Sequence, residues 1–328
     1  MKKHKICKIL LVILAIFLCV AFYELLGICV AYKKQPEVSN TTKKETKNGS
    51  WNECSENTER AVIIEKNPEA LLQRVRLIKN AKKEIILSTF AFQSDESGKL
   101  ILGALHDAAD RGVHIRLLVD GMESWIDMEG NPYFYGLSSH ENVEIKLYNK
   151  ANPLKPWKMM GRMHDKYLIA DGKTYILGGR NTYNYFLGDF PGHKNYDRDV
   201  LVVCDEPEKE NSVNQLLEYF ETIWEQEDSG YFHDNKKLAN RKSVKNAVLE
   251  LQNGYQKYFE ENKERICDTD YTDETFETEK IALVSNPIHT GPKEPVVWYQ
   301  LGELMKNAKE RVKIHTPYII CNDMMYNT

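Results

Sequence analysis

Nineteen consecutive residues constrain this chain more than any other stretch. Met163-His164-Asp165-Lys166-Tyr167-Leu168-Ile169-Ala170-Asp171-Gly172-Lys173 runs into Thr174-Tyr175-Ile176-Leu177-Gly178-Gly179-Arg180-Asn181, a His-x-Lys-x4-Asp followed by Gly-Gly-x-Asn. Apolar residues flank an Asp171-Gly172-Lys173 turn on both sides, which predicts a buried β-hairpin. Side chains alternate along a strand, so His164 and Lys166 are expected on one face. An imidazole beside an ammonium suits attack on a phosphodiester, the neutral ring acting as nucleophile and the cation stabilising charge on the phosphoryl oxygens. Gly178 and Gly179 permit close backbone approach, and Asn181 supplies an amide donor for another phosphate oxygen. The competing reading is a surface hairpin whose His and Lys are merely solvated.

Arg162-Met163-His164-Asp165-Lys166, Gly178-Gly179-Arg180-Asn181 and the later Asp197-Arg198-Asp199-Val200 resemble the phospholipase D superfamily, and its bacterial cardiolipin synthases most. The resemblance covers residues 61–328, is specific over 162–203 and is loose over 228–280. It implies an α/β fold: a phospholipase D-like α-β-α sandwich half with a mixed sheet, followed by the start of a second, similar half. His164 is then the catalytic nucleophile. Lys166, Asn181 and Gly179 bind the substrate phosphate, and Asp171 completes the catalytic motif, although its place in the turn suggests structural hydrogen bonding. Asp199, opening the next apolar strand, is by resemblance the carboxylate that orients His164, with Asp197 a weaker substitute. No cofactor is implied and no metal, since the motif places Lys where a divalent site would want a ligand. His193 and His315 lack such context and read as loop or packing residues.

The chain opens on Lys2, Lys3, Lys5 and Lys8, and residues 9–32 are apolar except for Glu24. That length suits a transmembrane anchor. The alternative is a cleaved signal peptide with its apolar region over 9–23 and Cys29-Val30-Ala31 as a loose cleavage site. Lysines before the span outnumber Lys33 and Lys34 after it, so the amino terminus is expected in the cytoplasm and the catalytic domain outside it, on a single-pass membrane protein. Residues 33–60 are polar without apolar periodicity and read as a flexible tether. Cys7, Cys19 and Cys29 belong to the apolar segment, and Cys54, Cys204, Cys267 and Cys321 have no spacing that suggests zinc or a disulfide framework.

The first phospholipase D-like domain is expected over 61–227. Asn67-Pro68 reads as a helix start with Asn67 capping, and the helix runs to Lys83. A strand over 85–92, a helix over 99–111 closed by Gly112, and a strand over 113–119 then form a parallel βαβ unit. A loop spans 122–140 and strands follow at 143–148 and 199–203, with an amphipathic helix over 211–226. Trp157, Met159 and Met160 either contact acyl chains or pack as a loop over the core. Residues 228–280 read as a helical spacer.

Ile78-Lys79-Asn80-Ala81-Lys82-Lys83-Glu84-Ile85-Ile86-Leu87-Ser88-Thr89 recurs as Met305-Lys306-Asn307-Ala308-Lys309-Glu310-Arg311-Val312-Lys313-Ile314-His315-Thr316, an offset of 227 residues. A second half therefore begins in residues 281–328, and by resemblance Ser285-Asn286-Pro287 and Thr316-Pro317-Tyr318 open it. The same offset carries His164 to position 391, beyond the 328 residues of the chain. The chemistry needs two histidines, one forming a phosphoryl-histidine and the other moving protons. The second must come from a missing carboxy-terminal half, the preferred explanation, or from a homodimer partner. A cardiolipin-forming transferase acting on phospholipid at a membrane is the leading expectation. A phospholipase D or nuclease of the same superfamily, and a silent membrane-tethered binding protein, are the alternatives. A formal net charge of −4 makes nucleic acid an unlikely partner.

Overall fold

The computed structural model describes residues 2–49, 59–233, 235–316 and 323–327. They divide into two units, one of Cys54–Ala151 with Arg162–Ile281, the other of Met1–Glu53, Asn152–Gly161 and Ala282–Thr328. The second contains α1 (Lys2–Tyr32) and α2 (Asn40–Asn48). The first contains nine strands: β1 (Glu59–Ile64), β2 (Glu84–Thr89), β3 (His114–Asp120), β4 (Val143–Tyr148), β5 (Lys166–Ala170), β6 (Thr174–Gly178), β7 (Asp199–Cys204), β8 (Ser229–Tyr231) and β9 (Phe276–Glu277). Its helices are α3 (Asn67–Asn80), α4 (Glu96–Asp110), α5 (Glu123–Asp127), α6 (Pro132–Ser138), α7 (Ser212–Trp224), α8 (Lys242–Glu261) and α9 (Lys263–Cys267).

One mixed sheet runs β8-β4-β3-β2-β5-β6-β7-β1-β9. The strands β2, β3 and β4 are parallel, as βαβ connectivity demands, and β5, β6, β7 and β1 continue antiparallel. Alternation along the strands sends Ile85, Leu87, Leu117 and Leu168 into the core beneath α3, α4 and α8. The other face meets α7, where the Arg116 guanidinium covers the Phe220 ring and the Tyr175 hydroxyl meets that of Ser212 at 2.9 Å. Helices on both faces make the α-β-α sandwich expected from the motif.

The hairpin forms as predicted. Asp171 and Gly172, in the three-residue loop between Ala170 and Thr174, have φ of 53° and 63°, both left-handed as an Asp-Gly pair permits, and Lys173 N–H donates to the Ala170 carbonyl. Four local expectations need correction. Asn67 does not cap α3: the N-cap is Lys66, while the Asn67 amide donates to the Asn195 carbonyl and accepts from Arg180. The stretch 122–140 holds α5 and α6, the latter opened by the Asn131 cap and Pro132 and burying Phe134 and Leu137. Residues 228–280 are not a spacer. Val244, Leu251, Tyr255 and Phe259 of α8 complete the main core, and β9 pairs with β1. Gly103 of α4 admits α8 so closely that a Cβ there would stand 2.7 Å from the Leu251 carbonyl oxygen.

The tether is also structured in part. Ser39 accepts the Thr42 N–H and begins α2, and Glu294 accepts from both the Ser39 N–H (2.8 Å) and the Thr42 hydroxyl (2.6 Å). In the same unit lie α10 (Val296–Asn307) and α11 (Asp323–Asn327). The internal repeat is visible in α10, which sits 227 residues after the body of α3 and, like it, opens at a proline. Residues 311–316, the counterpart of β2, form no strand, because a strand needs a ladder partner and the described residues supply none. Pro317, Tyr318, Cys54 and Cys321 lie outside the described residues.

Candidate active site

Register brings the motif to one end of the sheet. Thr89, ending β2, pairs with Lys166, beginning β5, and Gly178, ending β6, pairs with Asp199, beginning β7. His164 lies just before β5, its ring 4.6 Å from that of Phe90 in an edge-on arrangement. Lys166 Nζ stands 5.2 Å from the centre of the same Phe90 ring and donates to the His164 carbonyl at 2.6 Å. The expected pair is therefore assembled, on an aromatic platform the motif does not announce.

Burial, aided by the Lys166 charge, lowers the His164 pKa, which leaves the imidazole neutral and nucleophilic near pH 7. Lys166 is buried, and desolvation brings its pKa down to about 8 against the pull of Asp165, Asp197 and Asp120. Asp120, fully buried at the end of β3, accepts from Met163 N–H (3.0 Å) and pairs with Arg162 (3.1 Å), clamping the chain just before His164. Burial raises the Asp120 pKa, and Arg162 and the backbone amides resist the shift. Sequence reasoning missed Asp120 and Phe90; an acidic residue closing an apolar parallel strand was the available signal for Asp120.

Asn181 is buried and oriented. Its Oδ1 accepts the Ala91 N–H at 3.2 Å, so its amide nitrogen is the donor, and Tyr183 is held by a further hydrogen bond with it.

Three assignments change. Asp171 stands at the opposite end of β5 from Lys166, where it accepts the N–H groups of Lys82, Lys83 and Glu84 at 2.8, 2.7 and 3.0 Å. These bonds fasten the hairpin to β2, the structural hydrogen bonding that its place in the turn suggests. Asp199 does not orient His164. Its Oδ2 meets Arg74 at 2.9 Å and Arg180 at 3.2 Å, and its Oδ1 has no hydrogen-bond partner. Gly179 stands against the Asp197 carboxylate, and a Cβ on it would lie 2.1 Å from Asp197 Oδ2. The glycine admits a carboxylate on that side, where a phosphate was expected. Arg180 secures the arrangement by donating to the carbonyls of Ile64, Glu65 and Asp197.

Other candidates lie apart from this chemistry. His193 packs beside the Tyr185 ring, Cys204 is buried and Cys267 is exposed. Among the described residues no group of three His, Cys, Asp or Glu side chains could hold a metal ion.

A sheet of this topology with a His-Lys pair at its end defines a class, and comparison with known proteins agrees. Residues 74–224 match the family model described as "Cardiolipin synthase, PLD-like domain". The chain carries a phospholipase D-like domain. An uncharacterized protein of Helicobacter pylori J99 is 28% identical over 292 residues, covering 79% of this chain and 54% of that protein. Cardiolipin synthase C of Escherichia coli K12 is 29% identical over 171 residues, 48% of this chain and 34% of that one. The chain thus spans about half the length, or less, of these relatives. Among solved structures, a phosphatidylserine synthase of Haemophilus influenzae is 16% identical and covers 75% of this chain and 52% of its own, with a TM-score of 0.45.

Proposed function

We propose that this chain supplies one catalytic half of a membrane phosphatidyltransferase that makes cardiolipin from phosphatidylglycerol and a second phospholipid. The observation that carries the reading is the neutral His164 imidazole beside the buried Lys166 ammonium on the Phe90 ring. A ring nitrogen of His164 attacks the donor phosphorus, forming a P–N bond as the P–O bond to glycerol breaks. The departing oxygen takes its proton from a second histidine. That histidine next removes the proton from the free hydroxyl of the acceptor lipid, whose oxygen displaces His164 from phosphorus. Lys166 and Asn181 hold the phosphoryl oxygens, and Asp197 is the carboxylate that orients the histidine chemistry in place of Asp199.

The second histidine comes from a second motif, in further chain or in a second copy. Each other histidine described in this domain has its own neighbours: His106 and His140 share Asp110, His114 meets Glu144, His193 packs on Tyr185, and His233 packs on Tyr135. A lipid substrate is supported by Trp125 and Ile126, 69% and 72% exposed on α5, which follows β3 at the site end of the sheet. It is supported too by α1, whose segment Lys5–Tyr32 is long and apolar enough to cross a membrane, with a mean hydropathy of 2.9. An uncleaved anchor with the catalytic domain outside the cytoplasm is part of this reading.

The test is release of glycerol and formation of cardiolipin when the native protein, in its membrane, is given phosphatidylglycerol. His164→Asn should abolish both, and the phosphohistidine, with circular dichroism unchanged. Cleavage of DNA in place of lipid would select the nuclease reading, and lipid hydrolysis without transfer the phospholipase one. No turnover at all would leave a binding protein.

A further inference from the structure

The segment Asn152–Gly161 has no place in the reaction, yet it presents three exposed apolar side chains within seven residues. Leu154 is 76% exposed, Trp157 46% and Met160 59%, so the loop does not pack these side chains over a core. We infer that this loop is a second membrane-contact element, lying in the interfacial layer of the bilayer beside the end of α1, with Leu154, Trp157 and Met160 among the lipids.

Contacts with α1 fix its level. The Tyr23 hydroxyl donates to the Leu154 carbonyl at 3.1 Å. The short 3-10 turn Pro156–Lys158 runs along α1, and the Pro156 ring lies so near Gly27 that a Cβ there would stand 2.4 Å from Pro156 Cγ. Gly27 is therefore a docking notch for the loop. Below this point the helix is bare: residues 6–22 are exposed on every side. At about 1.5 Å per residue they span roughly 26 Å, close to the hydrocarbon thickness of a bilayer. Glu24 follows at once, and a carboxylate avoids depth, so Tyr23 and Glu24 mark the membrane surface. The loop fastened at Tyr23 and Gly27 lies at that surface.

Its composition fits the place. Trp157 and Tyr23 are of the residue types enriched at membrane interfaces, and Lys155 and Lys158 alternate with the apolar residues, as suits a surface with anionic headgroups. The loop leaves the catalytic domain at Asn149 and returns at Arg162, whose guanidinium donates to the Asn149 carbonyl at 2.6 Å. Two residues later the chain reaches His164. The inference stands apart from the reaction assigned above, because membrane contact by the loop does not depend on which phosphodiester is cleaved.

The experiment is tryptophan quenching in the full chain, reconstituted into vesicles of phosphatidylcholine and phosphatidylglycerol with acyl chains brominated at carbons 6,7 or 11,12. The wild type should show a component quenched more by the shallow bromines than by the deep ones, and Trp157→Phe should lose it. Trp157→Phe is conservative, and unchanged circular dichroism checks its fold. Three results overturn the inference: identical bromolipid quenching in both proteins, a Trp157 component quenched by aqueous iodide instead, or one shielded from both quenchers and hence covered by protein.

Discussion

Lys166 Nζ and the backbone carbonyl of His164 are joined by a 2.6 Å hydrogen bond, so the cation is tied to the residue whose imidazole it serves. The ammonium reaches over Phe90 to make this bond, and the imidazole rests against the same ring. His164 and Lys166 are thus positioned together, an arrangement that would lower reorganisation in the phosphoryl transfer proposed above.

Activity and stability should respond to alkali in opposite directions through Lys166. Its pKa is about 8 in the fold against an ordinary 10.5. Between those values the unfolded chain binds more protons, so the cost of burying the ammonium, present in full below pH 8, is relieved as pH rises toward 10.5. The cation is lost over the same window. We expect kcat/KM to fall about tenfold per pH unit above 8 while the melting temperature does not fall on this account. Lys166→Met should lower kcat by about 10²- to 10³-fold at neutral pH without loss of stability. A pH profile and thermal unfolding of both proteins check it.

The two carboxylates two residues apart should separate cleanly. Asp199→Asn leaves Arg74 and Arg180 buried without a countercharge and should cost about 3–5 kcal/mol of stability. Asp197→Asn should leave unfolding nearly unchanged and reduce turnover by about 10²- to 10⁴-fold. Denaturant titration paired with the transfer assay distinguishes them. Equal effects on both quantities would refute the division.

Asp171→Ala removes the acceptor of three backbone N–H groups and places alanine at a positive φ, so a loss of about 2–4 kcal/mol is expected. Asparagine accepts hydrogen bonds and tolerates that backbone, so Asp171→Asn should cost only about 1 kcal/mol. Per folded molecule, both variants should turn over as the wild type does. A selective loss of turnover in Asp171→Asn would restore Asp171 to the catalytic set.

The paired glycines should differ as well. At Gly179 a Cβ meets the Asp197 carboxylate, which can swing away, so Gly179→Ala should fold and lose activity in step with Asp197→Asn. At Gly178 it meets Asp199 Oδ1 at 2.0 Å and the Arg198 carbonyl at 2.6 Å, where backbone must move. Gly178→Ala should therefore cost several kcal/mol, by analogy with the roughly 1–3 kcal/mol of ordinary overpacking plus backbone strain. Soluble yield and melting temperature report the difference.

The βαβ unit, the motif hairpin and α7 were legible because each rests on a local rule: apolar periodicity, an Asp-Gly turn, an apolar helical face. The small errors were contests between a local rule and a distant partner. Asn67 has the chemistry of a cap, but Arg180, 113 residues away, claims its oxygen. Residues 40–48 look like a tether until Glu294 arrives to accept from Ser39 and Thr42. The helical character of residues 228–280 was legible, but not that α8 completes the main core, because the surface it covers on α4 is far away in sequence.

By itself the sequence determined that His164 and Lys166 stand together at the start of a buried hairpin in an α/β sheet, since spacing and turn chemistry act within a few residues. It determined that a long apolar helix precedes that domain. Only the tertiary structure decided which acidic residue of Asp197-Arg198-Asp199 is neutralised in the interior. Arg74 comes from α3, 125 residues earlier, and with Arg180 neutralises Asp199 in the interior, while Asp197 is left against Gly179 near Lys166. A buried charge takes whatever countercharge the packed elements bring to it, and no spacing rule along the chain encodes which elements those are.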